Sequence, residues 1–249
     1  MYLCLEMEER LDKLLVQLNL VDSRAEAEKL ILEVGVHVNG KLINKPGKKF
    51  KNDCKIKFIE ASDEWVSINA NKILSAIKKW KLNVAGKRFL DVFTNDGATS
   101  EVLLSFSADK VYSNDLMKKN YPSSIFDNNN LVNCTGLFLR EITTKLIPEQ
   151  LDGCVINVSD DKLNKTLPFI HPFLKLDAFV IVMINPKVEV DKSFIKNNGE
   201  LRNTLGYPSM FDELKKVAEL NNLDLIDYMK SPLLGEDGNE EFILYLKRI

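Results

Sequence analysis

Apolar residues recur at Leu11, Leu14, Leu15 and Leu18, the i, i+3, i+4, i+7 spacing of a helix that buries one stripe. Ser23 stands three residues before Glu26, which predicts a capping box and a second helix with the stripe Ala27, Leu30, Ile31 and Val34. Gly35 is positioned to end it. The period then shortens to two. Val36-His37-Val38 and Lys41-Leu42-Ile43 flank Asn39-Gly40, a dipeptide that tolerates the positive φ of a tight hairpin turn. Pro46-Gly47 marks another turn, and Lys55–Ile59 alternates lysine with apolar residues, like a strand with one wet face. Two helices on a small sheet, an α+β domain, are predicted for residues 1–60.

Residues 60–72 are polar and begin without helical periodicity, which predicts a domain boundary at 60/61. Beyond it, strand-length apolar runs alternate with helical stripes. Strands are predicted at Arg88–Phe93, Lys110–Asn114, Cys154–Val158, Ala178–Ile184, Leu223–Tyr228 and Glu241–Lys247. Helices are predicted at 70–80, 98–107, 143–149, 161–174 and 209–221. This alternation implies an α/β domain over 61–249 with a doubly wound, Rossmann-like sheet. The last two strands are expected to form an antiparallel pair at an edge. No apolar run approaches the roughly 18 residues of a membrane span. The first residues carry acids where a secretory leader carries bases, so the chain is expected in the cytoplasm.

Composition adds little until charge is read locally. With 45% hydrophobic and 28% charged residues and a net charge of −2, the chain has no overall basic bias. Any nucleic-acid site must therefore be a patch. Between Lys41 and Lys57 there are seven lysines and one acid, Asp53, while Arg10, Lys13, Arg24 and Lys29 come from the two helices. Such a cluster fits phosphate contacts, and it equally fits a solvated lysine-rich face. Cys4, Cys54, Cys134 and Cys154 form no CxxC pair, so neither a disulfide framework nor a metal site is expected. His37 and His171 stand alone, which favours surface or packing roles.

The first strand–loop–helix of the large domain, "KRFLDVFTNDGATSEVLL", is where a doubly wound sheet binds ligands. Its loop holds one glycine, Gly97. Asp115 lies 24 residues after Asp91, at the end of the second strand, where an acid accepts from ribose hydroxyls or caps a helix. Asp91 has a second reading too, as an acceptor for nearby backbone donors.

In the small domain, "RLDKLL", "SRAEAEKLI", "GVHVNGK" and "KPGKK", in that order, resemble the S-four-type RNA-binding domain. That resemblance implies RNA contacts from Arg10, Lys13, Ser23, Arg24, Lys41, Lys48 and Lys49, reading shape and phosphate. The large domain, through "WVSINANKIL", "ADKVYSNDL", "LDGCVINVS", "VIVMINPKVE" and "LLGEDGNEEFILYLK", resembles the hemolysin A (TlyA-type) family, itself similar to FtsJ-type ribose methyltransferases. The resemblance implies S-adenosylmethionine as cofactor, held by Asp91, Gly97 and Asp115, ribosomal RNA or a ribosomal subunit as partner, and a Lys-Asp-Lys-Glu tetrad. The tetrad positions here are Lys72, Asn157, Asn185 and Glu241, so both central charges are amides. An amide is no general base and brings no charge to tune a neighbour. Lys187, two residues past Asn185, is a candidate substitute that swings in if the strand has ended; on a continuing strand, residues two apart share a face. Phe93 and Ala98 replace family glycines, "Ser67-Ile68-Asn69-Ala70" replaces a Ser-Arg-Gly-Gly run, and "NCTGLF" at 133–138 lacks the expected acid. Three functions follow: an RNA 2′-O-methyltransferase, a non-catalytic RNA-binding scaffold in ribosome assembly, and a membrane-active hemolysin.

Overall fold

The computed structural model describes residues 8–249 except 19, 34, 40, 59–64, 120, 122–124, 126, 159–161, 196–203 and 236–238. Val34, Gly40, Ile59 and Cys4 of the sequence reading lie outside these residues. The chain divides into two compact units, residues 1–61 with 233–239 and residues 62–232 with 240–249.

In the first unit, α1 (Leu11–Gln17) and α2 (Arg24–Glu33) accompany an antiparallel sheet in the order β3 (Lys41–Ile43), β2 (Val36–Val38), β5 (Ile56–Phe58). Leu11, Leu15, Ala27, Ile31, Val36 and Val38 form its core, so both helical stripes face inward as their periodicity requires. The Ser23 hydroxyl accepts the N–H of Glu26 at 3.2 Å, and Gly35 adopts φ +80. Asn39 is left-handed at φ +52, as the hairpin demands. An unforeseen pair joins β1 (Glu8–Arg10) antiparallel to β4 (Lys49–Lys51). Strands of three residues are too short for an alternation signal.

The second unit is a seven-stranded sheet in the order β11 (Leu223–Leu234), β12 (Glu240–Arg248), β10 (Leu174–Ile184), β9 (Leu151–Val158), β6 (Arg88–Val92), β7 (Lys110–Asp115), β8 (Leu131–Thr135). The strands from β10 to β8 pair in parallel, and β12 pairs antiparallel to β10. One face carries α3 (Ala70–Trp80) and α4 (Ala98–Ser105) on Phe89, Val111, Val155 and Ile181. The other carries α7 (Tyr207–Glu219) on Leu90, Ile156, Val180 and Val182. Helices on both faces make this the doubly wound architecture.

Three expectations are corrected. Residues 143–149 form turns instead of a helix. The stripe at 161–174 breaks into a 3-10 turn at Leu163–Lys165, α5 (Leu167–Ile170) and a 3-10 turn at His171–Phe173, because Pro168 and Pro172 remove helix donors. β8 was not foreseen: its polar "LVNCT" hides an edge strand that gains its hydrogen bonds from β7 alone. Cys134 and Cys154 are free and buried, and Cys54 is free and half-buried. Among the described residues no helix is long and apolar enough to cross a membrane.

Candidate functional site

Sheet register brings the four tetrad positions to one end of one face. Asn157 on β9 pairs with Met183 on β10, and Ile184 pairs with Phe242 on β12. Asn185 is extended (φ −93, ψ 114), so it continues the β10 alternation. Residues two apart share a face, which puts Asn157, Asn185 and Glu241 with Val155, Ile181 and Ile243, under α3. Lys72, in the first turn of α3, reaches Glu241 across 169 residues of sequence, Nζ to Oε2 at 2.6 Å. The pair is nearly enclosed, with 8% and 15% side-chain exposure. Asn157 and Asn185, at the same sheet end, are half-buried. The Asn185 carboxamide oxygen accepts the Lys187 N–H at 3.1 Å and caps α6 (Pro186–Glu189). Lys187 therefore lies on α6, past the end of the strand that Pro186 terminates.

The loop after β6 is tied to itself. Thr94 N–H donates to Asn114 O, Asn95 N–H to Asp115 Oδ2 and Gly97 N–H to Thr94 O, each at 3.0 Å. Ala98 N–H donates to Asp96 Oδ1 at 3.0 Å, and Met117 N–H takes the other Asp115 oxygen at 3.0 Å. Phe93 is left-handed at φ +57, which breaks the strand alternation. Its ring packs on the Leu90–Val92 cluster of the α7 face, away from the face that Asp91 shares with Ser113 and Val155. The left-handed backbone at Phe93 thus turns its side chain off the Asp91 face. Gly97 sits at φ +88, and a Cβ there would lie 2.8 Å from the Tyr121 ring.

Asp91 is fully buried and accepts from the Ser100 hydroxyl at 2.6 Å. Ser100 also meets Ser113 at 3.1 Å, which meets the Tyr121 hydroxyl at 2.8 Å. Burial pushes the Asp91 carboxyl up to about 6, against the pull of the Ser100 bond. Asp96, which the sequence reading passed over, is a junction: its Oδ2 accepts Ser67 Oγ at 2.6 Å and Asn69 Nδ2 at 2.8 Å. It thereby anchors the approach to α3, and so Lys72, to the loop. The polar Ser67 and Asn69 just ahead of α3 were the available signal.

In the first unit Lys41, Lys48 and Lys49 are exposed, and Lys13 lies 3.7 Å from Glu9. Ser23 is occupied as the α2 cap. Arg10 and Arg24 both bond Asp12, a fully buried acid in the α1 stripe that the sequence reading did not single out. Arg10, Asp12 and Arg24 thus meet where α1 and α2 begin.

A model of the FtsJ-like methyltransferase family matches residues 65–248. The chain belongs to this family. An S4 domain model matches residues 9–52. The FtsJ-like chain is 28% identical over 240 residues to the 16S/23S rRNA (cytidine-2′-O)-methyltransferase TlyA of Mycobacterium tuberculosis, covering 96% of this chain and 89% of the relative. It is 22% identical to Hemolysin A of Brachyspira hyodysenteriae, covering 95% and 98%. A solved structure described as a hemolysin candidate from Streptococcus thermophilus superposes with TM-score 0.74 at 22% identity, over 98% of this chain and 89% of that one, a likeness of fold.

Membership of the FtsJ-like family supports S-adenosylmethionine use in general, and the residues assigned to it here are held by the following contacts. Each Asp115 oxygen accepts one backbone N–H, which leaves a further lone pair on each for a ribose hydroxyl. The loop amides of Thr94, Asn95, Gly97 and Ala98 are bonded internally. The space above Gly97 holds Tyr121.

Proposed function

We propose that this chain binds ribosomal RNA, free or within a ribosomal subunit, in the cytoplasm, and that it does so without methyl transfer by the tetrad chemistry of its family. The single observation that carries this reading is the state of the tetrad: Lys72 and Glu241 close on each other at 2.6 Å, and the positions between them are Asn157 and Asn185. Methylating a ribose hydroxyl requires the oxygen in line with the methyl group and a group to manage its proton. Carboxamides accept hydrogen bonds and take no proton at neutral pH. The S4 match, the exposed lysines and the rRNA-modifying relative support RNA as the ligand.

The second reading, an active RNA 2′-O-methyltransferase using S-adenosylmethionine, is favoured by the family and by the retained Lys72–Glu241 pair. The hemolysin reading rests on names of relatives alone. Isothermal titration with S-adenosylmethionine and transfer of its tritiated methyl group to 16S and 23S rRNA separate the first two. Filter retention of rRNA with neither binding heat nor label is expected. Labelled ribose 2′-oxygen above a protein-free control refutes the proposal.

A further inference from the structure

The first unit holds two arginines in an arrangement that a merely basic surface does not require. Asp12 has no exposed side-chain area, against 37% for Arg10 and 52% for Arg24. Arg10 grips it with two bonds, Nε to Oδ1 at 3.0 Å and Nη2 to Oδ2 at 2.8 Å. Arg24 adds Nε to Oδ2 at 2.9 Å, and Lys13 N–H adds a bond to Oδ1 at 3.0 Å. Glu28 holds Arg24 Nη2 at 3.2 Å. Behind Arg10, Gly47 leaves room for the guanidinium, since a Cβ there would come 3.1 Å from Nη1. Asp12 and Gly47 thus bound the Arg10 guanidinium, and Asp12 and Glu28 hold that of Arg24.

Burying a carboxylate is costly, and partly exposed ion pairs return little stability. The arrangement is better explained by what it does to the arginines. Each guanidinium has five donors in a planar fork, a match for phosphate oxygens that a lysine lacks. Holding the fork in advance removes the side-chain entropy that binding would otherwise cost. We propose that Asp12 is a positioning residue for RNA, presetting Arg10 and Arg24 as a pair that receives a backbone phosphate. The two guanidiniums, Arg10 foremost, also hold the Asp12 carboxyl well below the usual carboxylate range, so the anchor stays ionised. This inference rests on the RNA-binding reading above.

The test exploits opposite signs. Asp12→Asn removes a negative charge from a basic face, so electrostatics alone makes RNA binding tighter. Positioning makes it weaker, by about tenfold for one lost charge-assisted contact. Filter binding of full-length protein to 16S and 23S rRNA at fixed salt reads the sign, with thermal melting as a check on folding. Arg10→Lys and Arg24→Lys keep the charge and lose the fork; each is expected to weaken binding about tenfold with the salt slope unchanged, at a temperature where melting shows the variant folded. Asp12→Asn that folds and binds as tightly as wild type or tighter overturns the assignment, and so do lysine variants that bind like wild type. Wild-type protein that retains no rRNA ends the RNA-binding reading itself, a separate failure.

Discussion

Asp91 is a carboxyl group with no water contact, and its behaviour follows from that. Its value rises from 3.8 to about 6 through desolvation, so the folded state holds a proton that the unfolded chain has released. Stability from this residue is therefore greatest in acid and declines as pH rises toward 6 and past it, reversing the usual carboxylate sign. Between about pH 5 and about pH 7.5 the loss is about 1.4 kcal/mol. Asp91→Asn should flatten that slope in urea unfolding of the FtsJ-like domain; parallel slopes for variant and wild type would show that Asp91 is not the titrating group. The same residue-level chemistry governs Asn157 and Asn185. Asn157 keeps the size of the family's aspartate and Asn185 is shorter than its lysine; both lose the charge, and because the two lost charges are opposite, the sheet end stays balanced.

At the scale of elements, α3 and β12 are joined by one buried pair, Lys72 with Glu241. Removing one partner leaves the other charge buried and unmatched, which costs about 3–5 kcal/mol. Glu241→Ala should lower stability by that order in chemical unfolding, while the double change Lys72→Met with Glu241→Leu should recover most of it. A loss under about 1 kcal/mol for the single variant would mean that water already solvates the lysine. The helix expected at 161–174 has its lesson here as well. Its apolar spacing is real, since Leu163, Leu167 and Ile170 are all buried. Periodicity reports which side faces the core, whereas Pro168 and Pro172 decide that the backbone cannot be one helix.

For the whole molecule, a net charge of −2 makes RNA affinity depend on one basic face and on salt. Roughly five phosphate contacts give a logarithmic salt slope of about −4, so a fourfold rise in salt should weaken rRNA binding by about two orders of magnitude. Changing Lys41, Lys48 and Lys49 to Gln should make the slope shallower by about 2; an unchanged slope would move the RNA elsewhere. Much of the architecture was readable in advance. Helical stripes at Leu11–Leu18 and 70–80, the Asn39-Gly40 hairpin, and the apolar strands of the central sheet are local patterns, and local patterns follow from the residues that carry them. The tetrad positions came from resemblance, and the register brought them to one sheet end. What the chain alone determined is therefore the longer helices and the central strands and which side of each is apolar, while the missing central tetrad charges were visible only through the resemblance. Only the tertiary structure decided that Lys72 closes on Glu241, that Asp12 gathers Arg10 and Arg24, and that Asp115 accepts the Asn95 N–H of the loop after β6. Those outcomes depend on strand order and loop closure between residues far apart, where no period in the sequence reaches.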